Sequence, residues 1–283
     1  MVWTTCANQM PIVIAPVVMA ELGISGSLAG LTLALPFLII VPLLMYFDRI
    51  VRHFTLERSI LIFGTFLVIG TVGTGLSMTV EIPNVFVALY VVFGTIKGIS
   101  MAGLYCCEGM LMLQNSRRND RVKNNGYIKA ANGVGAILLP CIISACVALS
   151  GWWLCFIVVS AALAATLPYT YAKCVSFKET LEIDLSFHTE SQLTRSPELR
   201  DLIKSRYTVM AFTVWFAIIF LMGIANSTMT YMLIDLHEIE ESKATLVTSI
   251  TRVSFVIGTP VLNLIIERNW LTRLGCIQLG ILL

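Results

Sequence analysis

Long apolar blocks separated by short polar segments run the length of this chain. A helix that crosses a hydrocarbon core about 30 Å thick needs roughly 20 mostly apolar residues, each adding ~1.5 Å. On that ruler the sequence predicts spans over 1–20, 25–47, 59–78, 85–113, 127–149, 152–172, 207–234 and 244–266. A further apolar block, 274–283, is half the length of a span, giving about eight and a half transmembrane helices. The fourth block is long enough to tilt or to project at one end. Helices are the only sensible spanning element, because lipid offers the backbone no hydrogen-bond partner and the blocks are too strongly apolar for barrel strands.

Composition agrees with the pattern. Hydrophobic residues make up 57% of the chain and charged residues 13%, and mean hydropathy is +0.84. A soluble domain holds nearer 45–50% apolar and about 25% charged residues. Most of the surface must therefore face a lipid bilayer, and the net charge of +2 argues for no nucleic-acid partner. Met1 is followed by no basic segment of the kind that opens a signal peptide.

Basic residues alternate sharply between loops. Arg49, Arg52 and Arg58 follow the second span, Arg117, Arg118, Arg121 and Lys123 the fourth, and Lys173, Lys178, Arg195, Arg200, Lys204 and Arg206 the sixth; Arg268 and Arg273 follow the eighth. The opposite loops carry Glu21, Glu81, Glu238, Glu240 and Glu241, with Lys243 as their one basic residue. The bias of lysine and arginine toward cytoplasmic loops then places the N-terminus and the loops after even-numbered spans in the cytoplasm.

The polar stretch 173–206 divides the chain into a six-span part, 1–172, a central linker, and a second part, 207–283, with the seventh and eighth spans and part of a ninth. The linker reads as solvated, with a short interfacial helix as the other possibility. The two parts share a short echo. Phe37 and Pro42 stand five apart ahead of Asp48, Arg49 and Arg52, as Phe255 and Pro260 do ahead of Glu267, Arg268 and Arg273.

Several of these segments, taken in order, resemble the major facilitator superfamily. Asp48, Arg49 and Arg52 are similar to the charged signature in its loop after the second span, although Leu44 and Val51 stand where glycines are usual. Gly94, Gly98 and Gly103 resemble its small-residue segment in span four, without the arginine that often precedes it. The run Gly133-Val134-Gly135-Ala136-Ile137-Leu138-Leu139-Pro140 resembles its glycine–proline segment in span five, and Gly151-Trp152-Trp153 with Phe156 its entrance to span six. The resemblance implies an all-α bundle with a six-helix N-terminal half and an incomplete C-terminal half. It also implies alternating access by two rocking bundles and a conformational latch at Asp48, Arg49 and Arg52. On this reading the chain is a fragment or a truncated product of a transporter.

Ionisable residues deep in a span are costly and mark cavities or partners. Lys97 lies near the middle of span four and Arg252 a third of the way into span eight. Both are cationic, and their functional reading is recognition of an anion such as a carboxylate or phosphate. An arginine in span eight also resembles that of the superfamily's monocarboxylate and nitrate porters, although Thr248 stands where the former carry an aspartate. The structural alternative pairs each cation with a carboxylate. Glu108 and Lys129, toward the cytoplasmic ends of antiparallel spans, read as a structural pair. Asn8 and Gln9 in span one, with Thr4 and Thr5, and Asn226 in span seven supply polar groups that could line a central path.

The eight cysteines have no metal-ligand spacing and read as small apolar side chains, with Cys106 and Cys107 as candidates for acylation. His53, His188 and His237 all fall in loops with no nucleophile motif, so a membrane-embedded enzyme is the weaker reading and no metal or cofactor is implied. A non-transporting relative with a structural or receptor-like role is the other alternative. The expected partner is a small solute, with a co-transported proton or other ion left open, since Glu21, Glu108 and Asp235 all lie near span ends.

Overall fold

A computed structural model describes residues 1–25, 28–33, 35, 53–115, 121–185 and 213. The chain divides into two units, Met1–Val175 with Thr245–Leu283, and Ser176–Ala244. The architecture below is that of the described residues of the first, with the helical residues 176–185 of the second.

Five long helices account for nearly all of it: α1 (Val2–Glu21), α2 (Leu56–Ser77), α3 (Pro83–Asn115), α4 (Arg121–Leu149) and α5 (Trp152–Leu185). No strand occurs among the described residues. All five are long and apolar enough to cross a membrane. They correspond to the first, third, fourth, fifth and sixth predicted spans. The second span lies mostly outside the described residues, although 28–33 are helical. The seventh, eighth and ninth blocks lie outside them too, apart from Thr213.

The helices overrun the apolar blocks because backbone hydrogen bonding does not stop at a membrane surface. At 33 residues, α3 is about 50 Å long, well beyond the hydrocarbon core, as its long apolar block leads one to expect. The largest extension is in α5, which continues from the end of the apolar block at Ala172 to Leu185. No glycine or proline stands between Tyr169 and Leu185, so nothing there breaks the helix. The first part of the polar stretch after span six is therefore helical.

Glycines set the packing of α2 against two neighbours. One stripe meets α3: Gly70 lies against the backbone of Lys97, Gly73 against the ring of Phe93, and Gly103 of α3 against the ring of Phe63. A second stripe meets α5, with Gly64 against Leu167 and Gly75 against Phe156. In both seams one residue number rises as the other falls, so α2 runs antiparallel to each partner. Eleven residues separate Gly64 from Gly75, three helical turns, which puts both on one face. Small residues let helix backbones approach where lipid supplies no hydrophobic drive between helices.

A second pairing joins α1 to α4. The Thr5 hydroxyl donates to Asn132 Oδ1 at 3.1 Å, and the Cys6 thiol lies 3.2 Å from the Gly135 carbonyl oxygen. Gly135 itself sits against the carbonyl of Val2. Met10, Ile14, Leu67, Phe86, Leu139 and Phe156 are buried in one cluster drawn from all five helices. Phe86 and Tyr90 stack there with ring centroids 5.8 Å apart. The outward faces stay apolar, with Phe66, Ile69, Leu76, Val92, Leu138 and Ile157 exposed. An apolar surface of this extent belongs in a bilayer.

Two turns carry backbone that matters. Gly151, between α4 and α5, has φ 106, a region that side chains avoid. Thr55, immediately before α2, has φ 63 and ψ 157, an unusual conformation for a β-branched residue. Its carbonyl accepts both the backbone N–H and the hydroxyl of Ser59.

Candidate functional site

Lys97 stands at the midpoint of the apolar stretch Pro83–Met112 of α3. Its residue is 8% exposed, and its backbone is pressed against Gly70 of α2. The polar groups around that crossing are already committed. Thr71 and Thr74 donate to the carbonyls of Leu67 and Gly70, each at 2.7 Å, Ser77 to that of Thr74 at 2.6 Å, and Ser100 to that of Ile96 at 2.7 Å. Hydroxyls bonded to the preceding turn of their own helix satisfy themselves without a partner helix. Among the described residues, no hydrogen bond or ion pair reaches the Lys97 ammonium.

A second polar group lies near this level. Ser160 of α5 is 3% exposed, and its Oγ is buried with no hydrogen-bond partner among the described residues. It shares a helix face with Phe156 and Leu167, the residues that fill the glycine stripe of α2. The antiparallel register between those contacts sets Ser160 at the height of Thr71, one residue from Gly70. The sequence singled out Lys97 through its charge. It gave no comparable signal for Ser160, Thr71, Thr74 or Ser100, because an isolated hydroxyl in an apolar block looks the same whether it faces lipid or a seam.

Among the other candidates, Asn8 and Gln9 of α1 are half-buried, beside the Thr5–Asn132 contact. Asn132 was legible only as a residue next to a glycine; its partner on α1 is 127 positions away. The helix runs unbroken through Pro11 and Pro16. Glu108, half-buried near the end of α3, lies within electrostatic reach of Lys129 and of the Met1 amino group. Its Oε2 is buried without a hydrogen-bond partner among the described residues. No ion pair between Glu108 and the exposed Lys129 occurs among the described residues. Asp48, Arg49, Arg52, Asn226 and Arg252 lie outside the described residues. No group of three or more metal-ligating side chains occurs among the described residues.

A bundle of long apolar helices with a cation buried at the centre of one of them defines a class: multi-pass integral membrane proteins that enclose polar groups away from lipid. The chain matches the family model of the Major Facilitator Superfamily over residues 2–283, and it belongs to that superfamily of membrane transporters. A search among curated proteins found no match. Members of the superfamily bind small solutes within the membrane.

Proposed function

We propose that this protein is a secondary transporter or facilitator that moves a small organic anion by alternating access, with Lys97 as a binding cation. The observation that carries this reading is the buried lysine at the midpoint of the apolar stretch of α3, with no hydrogen bond or ion pair among the described residues. A cation held at mid-membrane is costly unless something of opposite charge or a wet cavity faces it. A transported anion meets that requirement in one loading state and leaves the site when the solute departs. Arg252 is the second cation in this reading, and Asn8, Gln9 and Asn226 the neutral polar lining. The charged loop segment of Asp48, Arg49 and Arg52 serves as the latch between conformations, and the basic loops lie in the cytoplasm.

Uptake of labelled monocarboxylates, inorganic phosphate and nitrate into proteoliposomes tests the proposal. Lys97→Gln and Arg252→Ala should each cut uptake of the transported anion by about tenfold or more, the equivalent of about 1.4 kcal/mol of binding. Lys97→Arg should retain part of it, since the charge survives and only the donor geometry changes. Anion uptake that is unchanged in Lys97→Gln would sink the anion reading.

A further inference from the structure

The Thr5 hydroxyl is used differently from its counterparts. Thr71, Thr74, Thr95, Ser100 and Thr170 bond back to carbonyls in the preceding turn of their own helices, at 2.7–2.9 Å. The Met1 carbonyl, four residues before Thr5, accepts the Thr5 backbone N–H at 3.0 Å but not the hydroxyl. The hydroxyl crosses instead to Asn132 Oδ1 on α4, at 3.1 Å. That contact engages the carboxamide's acceptor and turns its oxygen toward α1. The two N–H donors on Nδ2 are left with no partner among the described residues.

Asn132 stands on the interior face of α4. Ala136, Leu139 and Ile143, four, seven and eleven positions on, share that face and are buried, whereas Tyr127, Val134 and Leu138 on the other side are exposed. Asn132 is nevertheless only half-buried, so its accessible surface opens inside the bundle and not onto lipid. On α1, Asn8 lies one turn beyond Thr5; it too is half-buried, with no hydrogen bond among the described residues. Asn132 lies eight residues into the apolar stretch Asn124–Leu149 of α4, and Lys97 fifteen residues from the end of the stretch Pro83–Met112 of α3. Those two ends lie on one side of the membrane, because α3 and α4 are joined there. Asn132 is therefore about 10 Å nearer that surface than Lys97.

We propose that Asn132 is a further solute-binding residue, which donates its N–H groups to the carboxylate or other oxyanion of the solute between Lys97 and the membrane face where α3 joins α4. The proposal rests on the anion reading above. An oxyanion stripped of hydrogen bonds inside the bundle is costly, and a carboxamide supplies donors without a charge that would hold the solute fast. Asn8 presents a second carboxamide beside the same crossing. Thr5 is a positioning residue: without its hydroxyl the amide is free to turn its oxygen toward the anion.

The test uses the whole protein. In opened membranes, Asn132→Cys and Leu138→Cys are each treated with an anionic, membrane-impermeant methanethiosulfonate, and the modified positions are read by mass spectrometry. A thiol reacts as its thiolate, which forms in water and not in hydrocarbon. Asn132→Cys should be modified, and more slowly when the transported anion is in excess, while Leu138→Cys and the exposed native Cys141 stay unmodified. In proteoliposomes, Asn132→Ala should raise KM for the anion about tenfold, as expected for the loss of a hydrogen bond to a charged group. Thr5→Val should raise KM as well, and Thr5→Ser, which keeps the hydroxyl, should not. Modification of Asn132→Cys no faster than that of Leu138→Cys would overturn the assignment. So would an unchanged KM in Asn132→Ala or, should that variant not fold, in Thr5→Val. Labelling does not depend on Lys97, so unchanged uptake in Lys97→Gln with modified Asn132→Cys marks failure of the anion reading and not of the placement of Asn132.

Discussion

Replacing Gly70 by alanine puts a methyl group where the backbone of α3 already stands. The new Cβ would lie 2.7 Å from the Lys97 backbone nitrogen and 2.9 Å from its Cα. Ordinary carbon contacts are about 3.5–4.0 Å, so the helices must separate by roughly 1 Å. Backbone cannot rotate away as the tip of a side chain can. The same seam holds Gly73 against Phe93 and Gly103 against Phe63, so separation loosens those contacts as well. Overpacking of this kind costs about 1–3 kcal/mol, against a gain of about 1 kcal/mol from replacing glycine inside a helix. Gly109 of α3 is the control, because a Cβ there meets nothing within 4 Å and only the gain should appear. The two variants should differ by about 1–3 kcal/mol, which is roughly 2–12 °C in apparent Tm for a chain of this size. A thiol-reactive dye that reports the eight cysteines as they become exposed measures this in detergent. If Gly70→Ala melted at or above Gly109→Ala, the close α2–α3 crossing described here would be wrong.

Two further substitutions probe the polar contacts. A double-mutant cycle of Thr5→Val and Asn132→Ala, read by the same thermal assay, should return a coupling of about 0.6 kcal/mol, typical of hydrogen bonds between membrane helices; zero coupling would mean that the α1–α4 hydrogen bond contributes nothing. Ser160→Ala removes a buried hydroxyl with no partner among the described residues, so it should raise stability by about 1 kcal/mol. A fall in stability would show that the hydroxyl is satisfied in the native membrane, by water or by solute.

The sequence by itself determined the class of fold and the existence of the five described helices, because a bilayer imposes one length and one polarity on anything that crosses it. It located Lys97 as an anomaly on the same ground: a charge inside an apolar block needs no structure to be noticed. It also carried the ordered segments around Gly133 to Pro140 and Gly151 to Phe156 on which membership of the superfamily was first legible. Tertiary structure decided what local pattern cannot encode. Helices that are apolar on every side give no period from which to tell a lipid face from a seam. Only packing distinguishes Gly70, pressed on α3, from Gly109, which faces open space. Partners far apart in sequence, such as Thr5 with Asn132, were equally invisible. Helix ends also escaped the hydropathy ruler, since α5 continues past Ala172 to Leu185 wherever backbone hydrogen bonding is uninterrupted, in water as in lipid.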